Sequence, residues 1–328
     1  MGCMSKVSVI IPSRREKFLQ PTIDDVFKHA EEEVEVVVHL DGYWPDPPLK
    51  DNKRLIQIHS TECRGMRGGI NTAVQASTGD YIFKLDGHCM LGQGFDRILK
   101  ADCDDNMVIV PRRLALEPET WTNIPDKPPV DYHFLTFPFI PDDPAGGLHG
   151  KTWRERAKAR KDILFDEEMS SQGSAYFLYK KFWNRVIGPL DDVNYGTFSN
   201  EFQEVGNKAW LSGGRVMVNK KTTYSHLFKG KKFGTGYGFS NAQWKDWGEQ
   251  RHRGAAYAIR FWMLDEWKER TRNLQWLIEH FTEQSGPIPG WPLDLDEAFR
   301  HAREVLNGQS FTTTQSSPMM SPMETVSA

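Results

Sequence analysis

Long apolar runs are missing from this 328-residue sequence. No window reaches the roughly 20 predominantly apolar residues that a membrane-spanning helix needs. Cysteine is scarce: Cys3, Cys63, Cys89 and Cys103 form neither a CxxC pair nor an even ladder. That excludes a zinc knuckle and a disulfide scaffold, and fits reduced thiols in a cytoplasmic compartment. A large excess of one charge is missing too. The net charge of -3 excludes a generally basic nucleic-acid coat but leaves local basic patches open. The opening MGCMSKVSVIIPS has no long apolar stretch of a secretory signal. It also has Lys6 where N-myristoylation wants Ser or Thr. No internal repeat is visible.

What is present reads as an ordinary α/β core. Hydrophobic residues make up 39% and charged residues 26%, enough for one large α/β domain with extensions or two small ones. Val7 to Ile11, Val34 to Leu40, Leu55 to His59 and Tyr81 to Leu85 are short apolar runs with the character of buried strands. Helical patterns at residues 18–30 and 68–76 alternate with them. This alternation predicts a mostly parallel, doubly wound sheet with helices on both faces. Ligands of such sheets sit beyond the carboxyl ends of the strands, where Ser13, Asp41 and Asp86 fall. Residues 117–150 read as a long irregular connection, a substrate-facing flap. Residues 151–161, KTWRERAKARK, are basic. Tyr176–Tyr179 and Val216–Val218 are further strand candidates, and residues 198–210 a helix. The glycine-rich 230–240 is expected to be mobile. One long amphipathic helix is expected from about Gly254 to Phe281, and a disordered tail after Gly308.

Asp86-Gly87-His88 carries the first chemistry. A carboxylate and an imidazole two residues apart, just past a strand, can point at one cation, and hard oxygen with imidazole nitrogen suits Mn2+ (or Mg2+). Taken alone, the triplet reads rather as a strand-end turn with a surface histidine. The stretch from Asn71 through Gly79-Asp80 into Asp86 resembles the pattern by which family-2-like glycosyltransferases lead into their metal-binding acid. Val7 to Arg14 resembles the first strand of that superfamily. Farther on, Gln172-Gly173-Ser174, Gly188-Pro189-Leu190-Asp191, Asn200-Glu201, Trp210 to Gly214 and Ser225-His226-Leu227-Phe228-Lys229 follow one order. In that order they resemble the polypeptide N-acetylgalactosaminyltransferases over roughly residues 6–270.

The resemblance implies a GT-A (Rossmann-like) fold and a metal-dependent glycosyltransferase using a nucleotide-sugar donor, UDP-linked by analogy. It implies Asp86, His88 and His226 as metal ligands. Pro12, Ser13, Arg14 and Asp41 would hold the nucleoside, with Asn71 and Gly173 contributing to the donor site. Glu201 would contact the donor sugar and, with Asp86, carry catalysis. Lys229 and Lys232 would face the diphosphate, and residues 230–238 would close over it. Three departures stand out. Phe198-Ser199-Asn200 replaces Trp-Gly-Gly before the glutamate. Ile70 stands where such enzymes often place an arginine, leaving Arg64 or Arg67 to substitute. Asn200-Glu201 lacks the second acid of inverting enzymes, which favours retention of configuration.

The expected organisation is a nucleotide-binding half (1–110), an irregular insertion (111–165), an acceptor-side half with the metal histidine and mobile loop (166–250), a helical extension (251–307) and the tail (308–328). A missing anchor and no room for a lectin domain suggest a microbial or viral cytoplasmic enzyme. The acceptor stays open between a protein Ser/Thr, a glycan, and a hydroxymethylated DNA base. The DNA reading draws on residues 151–161 with Lys220, Lys221, Lys229, Lys231 and Lys232. Rival classes are a nucleotidyltransferase, whose glycine-rich signature is missing after the first strand, and a non-catalytic nucleotide-sugar or nucleic-acid binder.

Overall fold

A computed structural model describes residues 5–139, 147–233, 237–238 and 241–308. Its centre is a sheet whose strands switch hydrophobic faces residue by residue. In β1 (Val7–Ser13), Val7, Val9 and Ile11 enter one apolar cluster while Ile10 enters the other, as a period of two requires. β2 (Val34–Asp41) and β3 (Leu55–Ser60) extend the sheet parallel to β1 on one side, and β4 (Tyr81–Leu85) pairs parallel on the other. Helices α1 (Leu19–His29) and α2 (Gly65–Ala76) form the intervening crossovers. α1 and α3 (Phe95–Ala101) pack in the cluster on one face, and α2 packs in the cluster on the other. The α/β fold with helices on both faces is therefore as the sequence predicts.

The second half of the sheet mixes directions. β6 (Met107–Glu117) and β12 (Arg215–His226) run parallel, while β11 (Ala175–Tyr179) sits antiparallel between β6 and β4. β5 (Cys89–Leu91) and β10 (Phe165–Glu167) pair antiparallel with β12, and the two-residue β7 (Thr122–Asn123) with β6. The short helices α4 (Arg154–Ala159) and α5 (Lys180–Phe182) precede α6 (Glu201–Leu211), which covers β12 and β6, and the one-turn α7 (Gly230–Phe233) follows β12. Two expectations change. The 117–150 connection is not a free flap: β8 (His133–Leu135) and β9 (Gly150–Thr152) form a ladder, and Tyr132, Leu135 and Leu148 are fully buried. Residues 140–146 lie outside the described residues. Prolines break the periodicity that would have revealed this packing. The single helix expected over 254–281 is two, α8 (Asn241–Met263) and α9 (Leu274–Ser285). Asp265 adopts a left-handed backbone between them, and the Asn273 side chain accepts from the Trp276 N–H to start α9. α10 (Leu295–Gly308) packs on both. Most of the expected tail, residues 309–328, lies outside the described residues, as do 234–236, 239 and 240 of the glycine-rich loop.

The edge of the first βα unit is closed by one acid. Glu35, on β2, is buried and accepts from Lys6 Nζ (2.8 Å), Ser8 Oγ (2.6 Å), and the Thr78 N–H (2.6 Å) and hydroxyl (2.7 Å). Burial would raise its pKa; these donors outweigh burial and hold it at about 2. A depressed folded pKa stabilises above the ordinary value near 4.5 and loses that contribution as pH falls towards 2. Glu35→Gln is expected to cost about 2 kcal/mol at pH 7. In urea titrations at stepped pH, the gap to the parent protein should narrow between pH 4.5 and 2. A gap that stays constant would contradict the assignment.

Candidate active site

Three strand ends bring the site together. Asp86 follows β4, its N–H donating to the Ser174 carbonyl at 2.9 Å. β12 ends at His226, which pairs in register with Cys89 of β5, and the Leu227 N–H bonds the His88 carbonyl at 3.2 Å. That register sets His226 beside His88, although 138 residues separate them in sequence.

His88 Nε2 and His226 Nε2 stand 3.1 Å apart. Asp86 Oδ2 lies 3.3 Å from the His226 nitrogen and 3.9 Å from that of His88. The three ligand atoms all fall within 4.8 Å of one another. Two ligands at right angles on an octahedral cation with bonds of about 2.1 Å stand about 3 Å apart, so the cluster has the dimensions of a cation site. The protonation states agree. Burial, opposed by Asp86, pushes His226 down to about 4, leaving a neutral imidazole with a lone pair. Burial would raise the Asp86 pKa, but Lys84 and then His226 outweigh it and keep the carboxylate ionised. One oxygen and two imidazoles suit Mn2+ or a similar divalent ion.

Two residues that the sequence reading missed support this cluster. Glu16, in the turn after β1, places Oε2 at 3.0 Å from His88 Nδ1 and also pairs with Lys229 Nζ. It fixes the His88 ring so that Nε2 faces inward, the carboxylate–histidine arrangement common behind metal ligands. Burial works against ionisation of Glu16, and His88 and Lys229 overcome it, so its pKa is lowered. Lys84, on β4, is fully buried and donates to Asp86 Oδ1 at 2.6 Å. The signal for Lys84 was a lysine inside an otherwise apolar strand. Glu16 had no sequence signal of its own.

A cavity of about 290 Å³ opens onto the cluster. Pro12, Ser13, Arg14, Glu16, Lys229 and Tyr237 help line it, so four of the expected donor contacts share one wall. Ser13 Oγ bonds the Tyr43 hydroxyl at 2.6 Å, and Arg14 reaches the Asp41 carbonyl. A second cavity of about 270 Å³ shares Met66, Asp86 and Phe198 with the first, and Gly173 and Glu201 line it. Glu201 opens α6 and is 6% exposed, with the Tyr176 hydroxyl beside its carboxylate. Burial raises its pKa, with Lys84 opposing. Asn200, just before it, has φ 53. Asparagine tolerates this left-handed backbone better than other non-glycine residues, so the departure from glycine there keeps the turn.

Asp41, Arg67, Asn71 and Lys232 do not themselves line the two cavities. Asp41 is fully buried, and its carboxylate accepts from the N–H groups of Arg64 (2.6 Å) and Gly65 (3.0 Å), capping α2. Arg67 is corrected outright: it is 0% exposed and spends its guanidinium on the Ser199 and Asp191 carbonyls and on Glu204. Asn71 clamps the Leu190 backbone, donating to its carbonyl and accepting its N–H at 2.8 Å each. Lys232 is exposed and paired with Glu119 at 2.7 Å. Of the lysines invoked for DNA, Lys220 bonds the Arg160 carbonyl and Lys221 pairs with Asp102. Within 151–161, Arg156 is buried and Arg160 pairs with Asp166.

The family described as Glycosyl transferase family 2 matches residues 8–188. No curated protein matches the chain. A solved structure described as GalNAc-T7 with UDP, GalNAc and Mn2+ aligns with TM-score 0.62 and 18% identity. The alignment covers 95% of this chain and 56% of that one, so the chain spans little more than half that protein's length. A mannosyltransferase from Pyrobaculum calidifontis, in complex with GDP-Man and Mn2+, aligns with TM-score 0.46 and 11% identity over 96% of this chain and 77% of that one. The likeness to GalNAc-T7 shows a shared GT-A fold.

Proposed function

The chain belongs to glycosyl transferase family 2, and from that premise we propose that it moves a sugar from a UDP-linked donor to a hydroxyl acceptor. One observation carries the reading. Asp86, His88 and His226 converge at the edge of the cavity that begins at the carboxyl end of β1. A divalent cation bound there would neutralise the charge that develops on a departing diphosphate. The GalNAc-T7 structure contains UDP and Mn2+, which supports both choices.

The side chains divide the work. Pro12, Ser13 and Arg14 receive the nucleoside end. Lys229 adds positive charge on the diphosphate side, as a point charge rather than a bidentate fork. Glu201, buried at the wall of the second cavity, accepts a hydrogen bond from a donor-sugar hydroxyl there. Tyr237, buried and in ring contact with Phe198 at 6.2 Å, closes the first cavity from the loop side. Transfer proceeds with retention, because the acid beside Glu201 in inverting relatives is Asn200 in this chain. The anomeric signals of the first-formed product in NMR check this: the configuration of the donor supports retention, and the opposite anomer refutes it.

A thermal-shift panel of nucleotide sugars with Mn2+ tests the core of the reading. A ligand at 100 times its dissociation constant stabilises by about 2.7 kcal/mol, so UDP-sugars should raise the melting temperature only with the cation present. No shift with any nucleotide sugar would refute it. Product formation on Ser/Thr peptides, oligosaccharides and hydroxymethylated DNA then separates the acceptor classes. Glu16→Gln keeps the shape but removes the charge that orients His88. Apparent Mn2+ affinity is expected to fall 10- to 100-fold, read from the Mn2+ dependence of donor hydrolysis. Unchanged Mn2+ dependence would remove Glu16 from the site.

A further inference from the structure

Lys84 breaks the rule that its own strand sets. Tyr81, Phe83 and Leu85 point into one apolar cluster of the sheet, and Ile82 into the other. By parity Lys84 shares the face of Ile82. It pairs in register with Ile10 of β1 and Tyr176 of β11, both in that second cluster. A lysine that is 1% exposed in the middle of a sheet costs several kcal/mol unless its charge is compensated. The compensation is specific. An ammonium has three N–H donors. Those of Lys84 meet three acceptors: Asp86 Oδ1 at 2.6 Å, the Gly173 carbonyl at 2.7 Å and Glu201 Oε2 at 3.4 Å. Gly173 has φ +80, and a Cβ there would stand 3.1 Å from Glu201 Oε2, so the turn that supplies this carbonyl is kept narrow by glycine.

The three acceptors belong to the two halves of the cleft. Asp86 faces the cation cluster, and Gly173 and Glu201 line the sugar-side cavity. Lys84 therefore holds one oxygen of Asp86 turned away, leaving Oδ2 alone to face the two imidazoles. A carboxylate can bind a divalent cation through one oxygen or through both. With both, it occupies a coordination position that a diphosphate oxygen needs.

We infer that Lys84 is a positioning residue that restricts Asp86 to one-oxygen cation binding and ties that carboxylate to Glu201, keeping a coordination position open for the donor. The inference rests on the cation reading of Asp86, His88 and His226. It separates from an ordinary structural role by the sign of one effect. Removing a buried positive charge beside the site and freeing Oδ1 should tighten binding of the bare cation while slowing turnover. A fold-supporting lysine, once lost, would weaken both.

The test uses Lys84→Met, which keeps an unbranched four-atom stem and removes the ammonium. Free Mn2+ is counted by electron paramagnetic resonance during titration of the full-length protein without donor. Donor hydrolysis gives kcat and KM separately. The expected result is Mn2+ binding about tenfold tighter than in the parent protein, with kcat at least about tenfold lower and donor KM raised. Lys84→Met/Glu201→Gln removes the partner carboxylate that the single variant strands. It should bind Mn2+ as tightly as Lys84→Met, with a melting temperature closer to that of the parent. Mn2+ binding that is weaker or unchanged in both variants would overturn the role of Lys84 and leave the cation site standing. No Mn2+ binding by the parent protein would overturn both readings.

Discussion

Alanine in place of His226 is expected to lower glycosyl transfer by about 100- to 1,000-fold, a loss of about 3–4 kcal/mol of transition-state stabilisation. His226 contributes one of the three clustered ligand atoms, and among the described residues the nearby carboxylates are already engaged: Asp86 Oδ1 is held by Lys84, and Glu16 is turned to His88 Nδ1 and Lys229. The ring is also pre-set for this task. Burial holds it neutral at about 4, so at neutral pH it needs no proton loss before binding. Excess Mn2+ should restore part of the activity, because the defect lies in affinity for the cation. A His226→Ala protein with the parent's kcat and Mn2+ dependence would take His226 out of the site. His226→Ala should fold normally, since His226 ends its strand rather than filling the core, and circular dichroism checks that.

Arg67→Met should unfold the protein more readily by about 3–5 kcal/mol, the usual effect of breaking a buried ion pair on one side. The Arg67 guanidinium is enclosed: it stacks 4.3 Å from the centre of the Tyr195 ring and bonds Ser199, Asp191 and Glu204. Its loss strands Glu204, which still holds Lys208 at 2.7 Å and the Asp191 N–H at 3.2 Å. The same bonds fix residues 191–199 just before Glu201, so the sugar-side cavity loosens as well. Chemical denaturation measures the stability. A change below about 1 kcal/mol, typical of a surface substitution, would contradict the enclosed network. Arg67→Met/Glu204→Leu, which removes both charges, should recover much of the loss.

The contrast between these two residues shows what the sequence could reveal. Asp86 and His88 were legible because the spacing of two ligands after an apolar strand is itself chemical. His226 was legible through its order among later motifs, and the register of β12 with β5 supplies the physical reason for its place. β1, β2 and β4 were legible because buried parallel strands are largely apolar runs. Arg67 was not legible: close to Ile70, where the resemblance calls for an arginine, it reads as the substitute ligand contact, whereas its side chain is enclosed by Tyr195 and Glu204. Asp41 shows the same ambiguity, since an acid after a strand can meet a ligand or cap the next helix, and its oxygens cap α2. Glu16 was invisible for the opposite reason: its partners His88 and Lys229 lie 72 and 213 residues away in sequence, and no local pattern encodes such distances. Lys84 left only the signal of a lysine inside an apolar strand, since Gly173 and Glu201 lie 89 and 117 residues away. The β8–β9 ladder was hidden by prolines that mimic a loop.

Crystals soaked in Mn2+ and measured at the manganese absorption edge address the central claim most directly. The account predicts one strong anomalous peak bounded by Asp86 Oδ2, His88 Nε2 and His226 Nε2, with Asp86 Oδ1 still on Lys84. A protein saturated with Mn2+ whose peak lies elsewhere, or whose His226 ring turns away from Asp86, would contradict it.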